Sequence, residues 1–200
     1  MKSRRETRMK ELSAKLLTHL ALAAPRDDEE IFTALGEILT DLRSRPVVLK
    51  RTAFPPGTAS GLWLDLEDMD IIAVRDDAAN GEHEHVILGH EVWHMFEGHC
   101  GVHTPAGRAA ARSQPPHAAA VHDVVQQIVA TGDNRLPNLS APQLSYAART
   151  GFDNKEESEA ELFGLRLGTE LRTFRTSRRR ADLGRVAGRI EDSLGRGLWG

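Results

Sequence analysis

The stretch that decides the reading is Gly81–Gly98, GEHEHVILGHEVWHMFEG, which contains His90-Glu91-Val92-Trp93-His94. On an α-helix, residues four apart lie one above the other, so His90 and His94 can turn two imidazoles toward one metal ion. Glu91, beside the first histidine, then reaches a water in the same space. Val86, Ile87, Leu88, Val92, Trp93, Met95 and Phe96 surround the pair, as in a helix buried over much of its circumference. Two imidazoles and a carboxylate inside so apolar a helix are costly unless paired or metal-bound. The expectation is a zinc site of the HExxH type, with His90 and His94 as ligands and Glu91 as the catalytic acid-base group.

Upstream, the pattern is extended. Val47–Leu49 with Arg51–Phe54, then Leu62–Leu66, then Asp70–Val74 read as three short strands, with Pro55-Pro56-Gly57 and Glu67-Asp68-Met69 between them. They predict a small three-stranded sheet, expected to be antiparallel, whose edge beside the site would let a peptide substrate add as an extra strand. Two helices precede it. Met9, Leu12, Leu16, Leu17 and Leu20 form one stripe, ended by Pro25; Ile31, Leu35, Ile38, Leu39 and Leu42 form the next, opened by Asp27-Asp28 and closed by Pro46.

Downstream of Gly98, residues 104–117 (TPAGRAAARSQPPH) read as a loop that could cover the cleft. Helices are expected over 118–131, over 141–149, from Lys155 to Phe174 and from Ser177 to about Leu194. The fold class is therefore α+β and mostly helical. It divides into a helical pair (1–45), a metallopeptidase domain (46–172) and an arginine-rich C-terminal helix and tail (173–200).

Zinc in a catalytic site commonly takes three protein ligands and keeps a position for water. The acids opening the later helix, Glu156, Glu157, Glu159 and Glu161, supply a third. Glu157 is the first choice, because Ala160 three residues on leaves room for the helices to approach; Glu161 then falls where it can hydrogen-bond a ligand histidine. Glu156, Glu161 and His99 remain alternatives as ligand. His99, His103, His122 and Tyr146 are further candidates to donate to a developing oxyanion. His83 and His117 read as surface groups.

These motifs together resemble the ImmA/IrrE family of metallopeptidases. The likeness rests on the HExxH helix, the trailing Gly98-His99, and Glu157-Ser158-Glu159-Ala160-Glu161-Leu162-Phe163-Gly164, similar to the family's ExxA(N/D)xFA helix. It covers about residues 45–172. The chain departs from the family pattern at Trp93, where glycine is usual, at Glu161, where Asn or Asp is usual, and at Leu165-Arg166-Leu167-Gly168; the gap between the motifs is also longer. The resemblance implies a zincin-like core and a cytoplasmic protease acting on a regulatory protein such as a helix-turn-helix repressor or an antitoxin.

Composition bounds the alternatives. A chain of 200 residues can bury a core without disulfides, and its single cysteine, Cys100, permits none within the chain. No run reads as a membrane span, and the basic start interleaves charge with apolar residues as a helix does, not as a signal peptide does. A net charge of -3 argues against bulk nucleic-acid affinity. Arginines nonetheless crowd the C-terminal segment, which keeps open a protein that binds a regulator or nucleic acid without catalysis.

Overall fold

The computed structural model describes residues 4–56, 59–66, 68–78, 80–99, 103–104, 107–110, 123–125, 128 and 154–196. The elements in chain order are α1 (Arg4–Ala23), α2 (Asp28–Arg43), β1 (Val47–Thr52), β2 (Gly61–Asp65), β3 (Asp70–Arg75), α3 (Gly81–Glu97), β4 (His103–Thr104), β5 (Gly107–Ala110) and a long helix, α4 (Asn154–Arg196). The fold is α+β and mostly helical.

Local chemistry sets most boundaries. The Asp27 side chain caps α2 by accepting from the Glu30 N–H at 2.8 Å, and Asn80 caps α3 by accepting from the His83 N–H at 2.9 Å. Gly98, at φ 68°, ends α3 in the left-handed conformation, its N–H donating to the His94 carbonyl.

The sheet is mixed, which corrects the antiparallel expectation. Its order is β1-β3-β2-β5-β4. β2 and β3 form a hairpin, with the Leu66 N–H donating to the Met69 carbonyl at 2.9 Å across the turn. The chain from β1 then crosses β3, so β1 lies parallel to β3, from Val47 opposite Asp70 to Thr52 opposite Arg75. Part of the expected 104–117 loop is also strand: β5 pairs antiparallel with β2, and β4 with β5.

Both faces of the sheet are covered, which is why β3 is buried at every position but its last. Trp63, Ile72 and Val74 face a core shared with Leu16, Leu35, Leu88, Val92, Phe163 and Leu167 of the four helices. Leu62, Leu64, Ile71 and Ala73 face a second cluster with Val124, Val125 and Ile128. The N-terminal helices thus pack on the core. A buried clasp joins the α2–β1 link to the hairpin: Asp70, fully buried, accepts from Trp63 Nε1 at 2.9 Å and pairs with Arg43 at 3.1 Å and Arg45 at 3.6 Å.

The two helices expected after Lys155 are one. No glycine or proline stands between Phe174 and Ser177, and Thr176 Oγ1 donates back to the Arg172 carbonyl, so nothing interrupts the backbone ladder.

Candidate metal centre

The centre is made where α3 meets the start of α4. α3 carries His90, Glu91 and His94 on faces turned inward; α4 crosses it with a stripe of Ala160, Phe163, Gly164, Leu167, Gly168 and Leu171, all buried. Three glycines let the backbones approach. A Cβ on Gly164 would stand 2.5 Å from the Val86 carbonyl oxygen and 3.2 Å from the His90 nitrogen; one on Gly89 would stand 2.9 Å from the Gly164 Cα; one on Gly168 would meet the Val86 side chain at 2.7 Å. Trp93 stacks on Phe163 with ring centroids 5.1 Å apart, filling the same seam further along.

This crossing brings Glu157 to the histidines. His94 Nε2 and His90 Nε2 are 3.0 Å apart, Glu157 Oε1 lies 3.3 Å from His94 Nε2, and Glu157 Oε2 lies 3.7 Å from His90 Nε2. One ligand atom from each of the three falls within 4.8 Å of the others, so His90, His94 and Glu157 could hold a metal ion. Tetrahedral zinc, with bonds of about 2.0–2.2 Å, spaces its ligand atoms roughly 3.3–3.6 Å apart. The two imidazole nitrogens at 3.0 Å, and the 3.3 and 3.7 Å contacts that each reach a different oxygen of Glu157, lie within about 0.3 Å of that range, and the two-nitrogen, one-carboxylate donor set suits the ion. His94 keeps 2% of its side-chain surface, His90 15% and Glu157 14%, so the centre opens on the His90–Glu157 side.

The acids beside Glu157 do not join the group. The buried stripe of α4 runs through positions three and seven beyond Glu157, which leaves Glu161 exposed on the outer flank. Glu159 turns to α1, where Arg5 pairs with it, and Arg8 of the same helix pairs with Glu97 of α3 at 2.8 Å. α1 therefore ties α3 and α4 together beside the candidate centre. Glu156 lies near His99 and acts on its charge, and the His99 ring packs edge-on against His94 with centroids 5.4 Å apart. Burial lowers the pKa of His99, which keeps the ring neutral beside the ligand.

Glu91 is buried against β2. A Cβ on Gly61 would come within 2.7 Å of its carboxylate, and the Trp63 backbone N–H donates to that carboxylate. Burial pushes the Glu91 pKa well above the ordinary carboxylate range; the Glu157 charge adds to the rise, and the Trp63 hydrogen bond opposes it. A carboxyl so perturbed, next to a group that could hold a metal ion, is a candidate for acid–base chemistry.

His83 is exposed at the α3 start. His117, His122 and Tyr146 lie outside the described residues, as does the side chain of His103. His90, His94 and Glu157, all picked out in the sequence, are the residues that come together as a group that could hold a metal ion; Gly61, Gly89, Gly164 and Gly168 were not picked out for their part in it. Their signal was present: glycine inside a helix or strand is destabilising and marks close backbone approach. A cleft of about 500 Å³ elsewhere, lined by Pro25, Asp28, Ile31, Phe174, Arg175 and Leu183 among others, includes none of the ligand residues.

Several C-terminal arginines serve the fold. Arg166 donates to Ser13 Oγ at 3.0 Å, Arg175 pairs with Asp28 at 2.7 Å, and Arg178 donates to the Ala24 carbonyl at 3.2 Å. No described helix is long and apolar enough to cross a membrane. Comparison of the chain with protein-family models, with curated proteins and with solved structures found no match.

Proposed function

We propose that this protein is a zinc-dependent endopeptidase of the ImmA/IrrE-like HExxH type, cutting a peptide bond in a regulatory protein. The observation that carries the reading is the convergence of Glu157 on His90 and His94, next to a buried Glu91 that contributes no ligand atom. A purely structural zinc site is usually closed by four protein ligands; a three-ligand group with a carboxyl beside it leaves room for water and for a base.

When bound, zinc supplies a Lewis acid that polarises a carbonyl and makes a water acidic, and its charge draws the Glu91 pKa back down. Glu91 takes the proton of the attacking water on its carboxylate and returns a proton to the leaving amine. The Trp63 N–H holds one face of that carboxylate, and Gly61 leaves the space it occupies. Glu157 and the histidines orient one another, with His99 packed behind His94 to fix its ring. The substrate proposed is a protein partner such as a helix-turn-helix repressor or an antitoxin.

The test is a pair of substitutions with two readouts. Glu91→Gln is expected to keep stoichiometric zinc while turnover of a protein substrate falls at least about 100-fold, the scale of a lost general base. Glu157→Gln is expected to lose zinc and turnover together. Undiminished turnover in Glu91→Gln would refute the reading, and would leave a zinc-containing protein that acts by binding its partner.

A further inference from the structure

We propose that β5 is a built-in occupant of the substrate edge: it pairs along β2 where an extended peptide would be held, and a target must displace it. The inference rests on the peptidase reading for its function, but its structural content is separable. Peptide recognition by strand addition needs a sheet edge beside the reacting groups. β2 is the strand beside them, because the Trp63 N–H donates to Glu91 and Gly61 faces the same carboxylate.

One edge of β2 is taken by β3, from Gly61 opposite Val74 to Asp65 opposite Asp70. The other edge is taken by β5, with Trp63 opposite Ala110, Leu64 opposite Ala109 and Asp65 opposite Arg108. The end of β5 therefore lies opposite the residue that holds Glu91. β5 thus covers the outer edge of β2 from Trp63 to Asp65, up to the Trp63 N–H that donates to Glu91.

β5 is also made to leave. Its sequence is Gly107-Arg108-Ala109-Ala110, without a β-branched or aromatic residue, the types that favour strands. It meets β2 over three residue pairs, against five between β2 and β3. Its outer neighbour, β4, has two residues. A partner strand richer in β-branched residues competes for the same backbone groups on favourable terms.

The experiment uses the full zinc-loaded chain in three forms: the parent, Ala110→Pro, which removes the β5 backbone donor that faces Trp63 of β2, and Ala109→Val/Ala110→Val, which strengthens the strand. The probe is a fluorescein-labelled alanine-leucine hexapeptide ending in a hydroxamate, read by anisotropy. Casein turnover is measured in parallel. Ala110→Pro is expected to bind the probe about tenfold tighter, the worth of one ladder hydrogen bond, and the double valine variant more weakly than the parent. Equal affinities across the three forms, the reverse order, or no binding by any form would overturn the proposal. If the proline variant loses its far-UV signal, the valine variant decides alone. Binding in the expected order with no casein cut by any form would keep the edge assignment and refute the peptidase reading; casein cut at equal rates with equal affinities would do the opposite.

Discussion

Replacing Gly164 by alanine adds one carbon at the tightest point between α3 and α4. That carbon would sit 2.5 Å from the Val86 carbonyl oxygen and 3.2 Å from the His90 nitrogen, both backbone atoms that no side-chain rotation can move. Restoring an ordinary contact at the Val86 oxygen requires the helices to separate by roughly 1 Å, given that non-bonded atoms settle near 3.5 Å. Alanine gains about 1 kcal/mol over glycine in a helix interior, while overpacking costs about 1–3 kcal/mol, so the net loss is about 0–2 kcal/mol. Gly184 is the control on the same helix: its Cβ would meet nothing within 4 Å, so Gly184→Ala keeps the gain without the clash. The two variants should differ by about 2 kcal/mol, a Tm gap of about 6 °C for a chain of this size. The centre should register the shift separately. Metal-ligand distances tolerate only about 0.2 Å, so the same separation should weaken zinc binding in Gly164→Ala and not in Gly184→Ala. Thermal melts and chelator competition read the two effects. Equal stability and equal zinc affinity in the two variants would refute the claim that backbone contact at Gly164 sets the ligand geometry.

Two further outcomes follow from buried polar groups. Asp70→Ala removes the acceptor for Trp63 Nε1 and strips Arg43 and Arg45 of their buried partner, so urea denaturation should show a loss of about 3–5 kcal/mol; a change near zero would mean that the clasp carries no stability. His85 is buried, and burial lowers its pKa below the usual value, with the Glu84 and Asp28 charges raising it and Arg175 and Arg51 lowering it again. Its folded pKa lies below its unfolded one, so its share of stability is present above pH ~6.5 and is lost as pH falls through the folded value. Tm measured from pH 7.5 to 5 should therefore fall less steeply in His85→Phe than in the parent; parallel curves would remove His85 from the acid response.

The α3 helix and its chemistry are legible from one segment because a helix places residues four apart on one face wherever it folds. His90, Glu91 and His94 needed no tertiary information. Neither did the opening of α2 at Asp27, since a cap depends on neighbours within a turn. For the third residue of the centre the sequence ranks Glu157 first but leaves Glu156, Glu161 and His99 open, because Glu157 and Glu161 share a helical face. The crossing of α4 over α3, allowed by Gly89, Gly164 and Gly168, turned Glu157 inward and left Glu161 on the flank. Sheet order was likewise beyond the strand signals. β1, β2 and β3 each announce themselves, but whether β1 pairs with β2 or lies parallel to β3 depends on where the connecting chain crosses. β5 announces nothing, because Gly-Arg-Ala-Ala is strand only where β2 supplies backbone partners. Local pattern determined which groups can do chemistry here; the packing of distant backbones decided which of them meet.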